Sequence, residues 1–188
     1  MPRTPPQSDP ARLLPVITLA FAELGYRRAT TAELARRCRV RENVLYRAWA
    51  DKKQMFLAAI DHVYASSLAA WTALLAQNGP KDPAGRLLEY ESIHHGEFGL
   101  YRIVFVALSE TDDPDIREAL RAMYRRFHEF IRARLPRRRR PSAVNTAWAV
   151  IGLGTVSNIL RELGLVPEAR RRRLFIEIGR LFLRGSGR

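Results

Sequence analysis

The stretch from Arg28 to Phe56, RATTAELARRCRVRENVLYRAWADKKQMF, constrains this chain more than any other. Thr30 followed by Glu33 has the form of a capping box, the hydroxyl receiving the N–H three residues on and the carboxylate reaching back. Leu34, Ala35 and Cys38 then form a small apolar face, and Val40 and Leu45 supply its counterpart after a turn at Arg39. A small residue where two helices cross, a tight turn and an apolar residue locking the second helix make a helix-turn-helix. The second helix, about Arg41 to Trp49, is expected to lie in a DNA major groove.

Leu13-Leu14, Phe21-Ala22-Glu23 and Gly25-Tyr26, then Thr30, Leu34-Ala35, Val40, Leu45-Tyr46, Trp49, Lys52 and Phe56 resemble, without a gap, the N-terminal domain of TetR-family transcriptional regulators. The resemblance implies an all-α fold: an N-terminal three-helix DNA-binding head with the helix-turn-helix, joined to a C-terminal helical ligand-binding and dimerisation bundle. The expected division is a Pro-rich disordered arm at 1–8, the DNA-binding domain at 9–53 and the ligand-binding and dimerisation domain at 54–188.

Composition agrees with a polyanion partner. The 188 residues carry a formal net charge of +13, with Arg far outnumbering Lys, and such an excess points to nucleic acid or an anionic surface, or simply to solubilising charge. Cys38 is the single cysteine; no intrachain disulfide is possible, a reducing cytoplasm fits, and Cys38 reads as a small core residue. No run approaches the about 20 apolar residues that cross a bilayer. Leu13 to Ala22 is apolar after Arg3 and Arg12, but no small-x-small cleavage site follows, so it reads as a helix rather than a signal peptide. There is no zinc-ligand cluster, phosphate-cradling glycine loop or nucleophile elbow, so no enzyme activity, cofactor, metal or membrane partner is expected.

The rest reads as helices. Asp9 caps a first helix with Pro10 at its opening position, and Pro15 either delays its start to about Arg12 or kinks it. Gly25 ends it in the left-handed conformation, with Tyr26 folding back on Phe21. Asp51 with Gln54 starts a long helix to about Gln77, ended by Asn78-Gly79-Pro80. Asp82-Pro83 opens another, stopping near Gly96. The apolar run Phe98 to Leu108 suits a buried strand or a buried helix, and its helical neighbours favour the helix. Asp113-Pro114 starts a helix that keeps its period to Pro136. Further helices run from about Ser142 to Leu163, with Val144, Trp148, Ile151, Thr155 and Ile159 on one face, and from Pro167–Glu168 to Arg184. Gly152 and Gly154 each cost about 1 kcal/mol inside a helix, which the close approach of another helix would offset.

Phosphate contacts position a protein on DNA, while base-edge contacts specify sequence. The resemblance assigns phosphate contacts to Tyr46 and Lys52, and Thr30 presents a helix N-terminus to the same anion. Arg41, Glu42, Asn43, Val44 and Arg47 are the candidates for base readout: Arg suits guanine, Asn adenine, Glu the cytosine amino group, and Val a thymine methyl. The chain departs from the family at the turn, where Arg39 replaces the usual Gly, and at Arg41, Glu42 and Val44, where Ser or Thr, Lys and Thr are common. Arg27 and Arg28 are either further phosphate contacts or solvated charge. The runs Arg137–Arg140 and Arg170–Arg173 read as solvated faces.

The resemblance also implies a homodimer built on the last two helices, with Trp148, Ile151, Gly152 and Val156, then Leu160, Leu174, Ile178 and Leu181, as contacts. It implies an effector pocket among the middle helices, for which Trp71, Tyr90, His94 and Phe98, then Tyr101, Phe105, Met123 and Phe127, are candidates; plain core packing is the alternative for each set. The expected partners are a palindromic duplex operator, a second copy, and a small-molecule effector that is apolar or aromatic rather than strongly charged. The expected function is a sequence-specific, ligand-responsive repressor. The alternatives are a basic all-helical small-molecule-binding protein and a non-specific nucleic-acid- or membrane-surface-binding protein.

Overall fold

The computed structural model describes residues 9–77, 82–95, 101–135 and 140–184. The described residues form helices only: α1 Pro10–Leu24, α2 Thr31–Cys38, α3 Glu42–Ala48, α4 Lys52–Ala76, α5 Pro83–His94, α6 Tyr101–Leu108, α7 Pro114–Arg132, α8 Arg140–Glu162 and α9 Glu168–Arg184. The 1–8 arm, the Asn78–Pro80 stop, Phe98 and most of the Arg137–Arg140 run lie outside the described residues.

Short-range capping chemistry starts most of these helices. Asp9 accepts the Ala11 N–H at 3.0 Å, Asp51 that of Gln54 at 2.8 Å, and Asp82 that of Gly85 at 3.0 Å. Asp113 accepts from Asp115 and Ile116 at 2.9 and 3.3 Å. Pro10, Pro83 and Pro114 follow three of these caps, where the missing N–H leaves nothing unsatisfied. α1 contains Pro15 and starts at Pro10, ahead of it. Gly25 ends α1 with φ 79 and ψ 161, so φ is positive as expected but the chain leaves extended rather than left-handed. The Tyr26 ring lies 6.2 Å from Phe21 and closer, 4.7 Å, to Phe56.

Two compact units result. The first comprises Met1–Ser66 and Phe98–Met123. Its described part holds α1–α3, the start of α4, α6 and the start of α7, with α1 packed on both α2 and α6. Its buried residues include Ile17, Phe21, Leu34, Leu45, Phe56, Ile60, Ile103 and Ile116, an aliphatic and aromatic core of ordinary kind.

The second unit comprises Ser67–Glu97 and Tyr124–Arg188, with α9 packed on α5 and α8. Its interior is different: beside Trp71, Leu88, Phe127, Phe130 and Phe175 it buries Ser92, His95, Ser157, Asn158 and Arg171. A Cβ at Gly154 would stand 2.7 Å from His95 Cε1, so this glycine leaves room against α8 for the ring that follows α5. Gly179 does the same for Leu88 of α5 against α9.

Two expectations need correction here. Arg170–Arg173 is not wholly a solvated face, because Arg171 is buried at 5% exposure. Ala143–Glu162, 20 residues, is long and apolar enough to cross a membrane by length and composition. Its large apolar side chains are the reason, and several point outward: Val144, Trp148, Val156 and Ile159 are exposed, while the inward face carries Ala143, Ala147, Gly154, Ser157 and Asn158.

Candidate nucleic-acid interface

The first unit builds the helix-turn-helix from local chemistry. Thr30, in extended backbone, accepts the Glu33 N–H at 3.2 Å and starts α2. The reciprocal half of the capping box is given up: Glu33 instead accepts Arg36 Nε at 2.7 Å and Arg37 Nε at 2.9 Å. Those hydrogen bonds hold its carboxyl down at about 2. Arg39 takes up the left-handed conformation, φ 56 and ψ 41. Its N–H bonds Arg36 O at 3.1 Å and the Val40 N–H bonds Ala35 O at 3.0 Å, the paired closure that a left-handed residue permits.

After this turn α3 rests on a single buried residue, Leu45. Arg41, Glu42, Asn43, Tyr46 and Arg47 are exposed and Val44 is half-buried, so the candidates for base readout and Tyr46 lie together on α3 and at its start. Arg41 precedes α3 in extended backbone, without a side-chain cap. Among the described residues no side-chain bond engages Arg41, Asn43 or Arg47. The other two polar residues are tied inward: Tyr46 Oη donates to Thr31 Oγ1 at 3.2 Å, and Thr31 Oγ1 donates to Glu42 Oε2 at 2.7 Å. Sequence reasoning passed over Thr31, whose neighbour Thr30 carried the cap signal.

The cations flanking the motif are largely committed. Lys52, at the start of α4, donates to Tyr26 O at 3.1 Å and stands 4.6 Å over that ring. Arg28 Nε donates to Leu24 O at 2.9 Å. Arg27 Nε lies 3.0 and 3.1 Å from the two carboxylate oxygens of Glu110. Lys53 Nζ lies 2.5 Å from Asp115 and 3.4 Å from Asp113. Cys38 is half-buried, and burial pushes its thiol upward, which suits a packing role.

The other candidates divide between the units. Tyr101, Phe105 and Met123 fall in the first, where Met123 is buried, Tyr101 half-buried and Phe105 exposed. Trp71, Tyr90, His94 and Phe127 fall in the second. There Trp71 meets Phe127 edge to face at 5.6 Å and lies tilted against Phe130 at 4.9 Å, as Tyr90 does against His94 at 4.5 Å. Of the dimer candidates, Trp148, Gly152, Val156 and Leu181 are exposed, and Ile151, Leu160, Leu174 and Ile178 are half-buried.

Residues 19–59 match the family model for bacterial regulatory proteins of the tetR family. No curated protein matches the sequence. Solved structures share the fold across nearly all of the chain. E. coli NemR, in its reduced form, is 16% identical with a TM-score of 0.76, covering 95% of this chain and 98% of that one. PfmR, a TetR family transcriptional regulator from Thermus thermophilus, is 20% identical with a TM-score of 0.62, covering 94% and 100%. The transcriptional regulator FadR from Bacillus subtilis, in complex with stearoyl-CoA, is 10% identical with a TM-score of 0.69, covering 94% and 99%. The helix-turn-helix thus lies within the stretch that matches the tetR family model, and nearly the whole length shares the fold of these regulators.

Proposed function

We propose that the chain is a cytoplasmic, ligand-responsive transcriptional repressor that binds a palindromic operator as a homodimer. One observation carries the reading of DNA. α3 buries only Leu45 and leaves Arg41, Asn43 and Arg47 exposed, with hydrogen-bonding groups that no described residue uses. Donors held out on a short helix suit base edges in a major groove. Val44 supplies the apolar contact, Glu42 an acceptor, and Tyr46, Lys52 and the Thr30 helix start supply phosphate contacts. Lys52 would exchange the Tyr26 carbonyl for phosphate, or share it. The head is residues 9–53 and the remainder, 54–188, senses ligand and dimerises.

One recognition helix reads too little DNA to be selective, and a two-fold dimer presents two at groove spacing. The outward apolar face of α8, with Trp148 at 47% and Val156 at 51% exposure, supports such an interface. So does Leu181 on α9, exposed at 70%. Exposed apolar surface of this kind favours burial against a partner. The stearoyl-CoA bound to FadR supports an effector site for an organic molecule, for which Trp71 and Phe127 are the leading lining candidates. Ligand would favour a dimer whose head spacing no longer fits two grooves.

Mobility-shift titration of duplexes flanking the chain's own gene, against scrambled duplexes at two salt concentrations, tests this. Asn43→Ala and Arg47→Ala should each change base preference and cost about 1–3 kcal/mol at the cognate site. Lys52→Ala should weaken all duplexes alike and flatten the log–log salt slope by about 0.9. Identical preference profiles for wild type and the two α3 variants would refute the readout assignment.

A further inference from the structure

Thr31 is the first residue of α2, and Thr30 before it carries the helix cap. At that position no helical carbonyl lies one turn back for the hydroxyl to bond. The side chain is half-buried and meets α3 instead, at two residues one turn apart. Thr31 Oγ1 donates to Glu42 Oε2 at 2.7 Å and accepts from Tyr46 Oη at 3.2 Å. The carboxylate fixes the direction of both bonds, because it only accepts. Thr31 therefore spends its single hydrogen on Glu42, and Tyr46 donates to Thr31.

α3 has seven residues and buries only Leu45, so packing alone sets its rotation about its own axis loosely. Bonds from one hydroxyl to Glu42 and Tyr46, about 6 Å apart along the axis, brace the helix at two levels. The bond to Glu42 is charge-assisted and short, the kind that orients a side chain. It holds Oε2 and leaves Oε1 without a bond among the described residues, on an exposed side chain next to Asn43. An oriented carboxylate oxygen at the start of a recognition helix is an acceptor for a cytosine amino group. Turning the Tyr46 hydroxyl to a phosphate leaves the Thr31–Glu42 bond intact, so the two roles are compatible.

We propose that Thr31 is a positioning residue that determines specificity: by holding Glu42 Oε2 it aims Oε1 at a cytosine amino group in each half-site. This rests on the reading of α3 as the recognition helix. An unheld glutamate at this exposed position would lose rotamer freedom on meeting a base, which weakens binding. Thr31 removes that freedom before DNA arrives.

The test uses the full-length protein. Selection from a random duplex library gives the sequence that the wild type prefers. Titration of that duplex and of its single-base variants gives the discrimination at each position. Thr31→Val is nearly isosteric and removes the hydroxyl, Thr31→Ala removes it without placing a methyl against the carboxylate, and Thr31→Ser keeps it. The Val and Ala variants should lower the preference for one cytosine in each half-site about fivefold or more. The other positions and the salt slope should stay as in the wild type, since no phosphate contact is lost. The Ser variant should retain the cytosine preference. Glu42→Ala should lose the same cytosine, and Thr31→Val added to it should change nothing further, because the two residues act as one unit.

Loss of folding in both hydroxyl-free variants, or weakening alike at every position, would assign Thr31 to the stability of the head and overturn the proposal. So would a wild-type profile in those variants, loss of the preference in Thr31→Ser, or additive losses in the double variant. A wild type that selects no sequence would fail the operator reading, and the proposal with it. A wild type that selects one, with a profile indifferent to Thr31, would fail the proposal alone.

Discussion

The Thr31 hydroxyl donates to Glu42 Oε2 at 2.7 Å, so a residue in the first turn of α2 holds the acid that begins α3. Glu42 therefore points its charge back at its own chain, yet remains exposed on the surface proposed to meet DNA. Repulsion between this carboxylate and phosphates is expected to restrain non-specific binding. Glu42→Gln keeps an acceptor for Thr31 and removes the charge. Its affinity for scrambled duplex should rise about fivefold at low salt, and the gain should shrink as salt is added. Titration of wild type and variant on one scrambled duplex reads this directly, and an unchanged or lower affinity means Glu42 does not face phosphate.

The turn between α2 and α3 stores strain at a single residue. Arg39 has φ 56 with a Cβ in place, and that conformation costs an L-residue about 1–2 kcal/mol. Arg39→Gly removes the strain and adds about 0.5–1 kcal/mol of unfolded-chain entropy. The net gain should raise Tm by about 2–4 °C. Arg39→Val should lower it, since a β-branched side chain tolerates this region least. Melting followed by helical circular dichroism distinguishes the two, and a Gly variant that melts below wild type would show that the arginine side chain contributes something the turn geometry does not explain.

Glu33 gives the head a pH dependence with a definite sign. Its carboxyl is held at about 2 rather than 4.5, first by the hydrogen bond from Arg36 and then by that from Arg37. A carboxyl whose folded pKa is depressed contributes stability that is fully present above pH 4.5 and lost as pH falls towards 2. Acid titration of the wild type should therefore show loss of stability through this window. Glu33→Gln should show a shallower dependence there, the effect being modest because both partners are exposed. Superimposable acid-unfolding curves for the two proteins would rule the coupling out.

How much of this was legible in the chain depends on how far apart the interacting residues stand. The caps at Asp9, Thr30, Asp51 and Asp82 are contests between neighbours, and their chemistry is written within four residues. The strained turn at Arg39 could be anticipated because the motif requires a left-handed residue there. The Arg27–Glu110 pair, 83 residues apart, and the Lys53–Asp115 pair, 62 apart, could not. Each follows from helices meeting in space, and a surplus of arginine does not say which one meets an acid. α8 shows a second limit. Periodicity reveals that Val144, Trp148 and Ile159 share a stripe, but not that the stripe faces outward while Ser157 and Asn158 face in. Arg171 was misplaced for the same reason: composition assigns a run of arginines to solvent, and only packing buries one member.

Two glycines of α8 should respond to the same substitution for different reasons. A Cβ at Gly154 would stand 2.7 and 2.8 Å from His95 Cε1 and Nε2. That ring is buried and bonded to Glu91 and Asn158, so it cannot move aside cheaply. Gly154→Ala should cost about 1–3 kcal/mol of stability. Gly152, two residues earlier, has nothing within 4 Å of where a Cβ would stand, so in a lone protomer Ala there should gain about 1 kcal/mol of helix propensity. If the exposed face of α8 is instead closed by a second copy, Gly152 is where the two backbones can approach most nearly, and the added methyl intrudes. Gly152→Ala should then raise the dimer dissociation constant about tenfold, a loss of about 1.4 kcal/mol. Sedimentation equilibrium measures the constant, and melting at two protein concentrations measures its consequence. A Gly152→Ala protein that melts higher and dimerises as tightly as wild type would move the interface away from this part of α8.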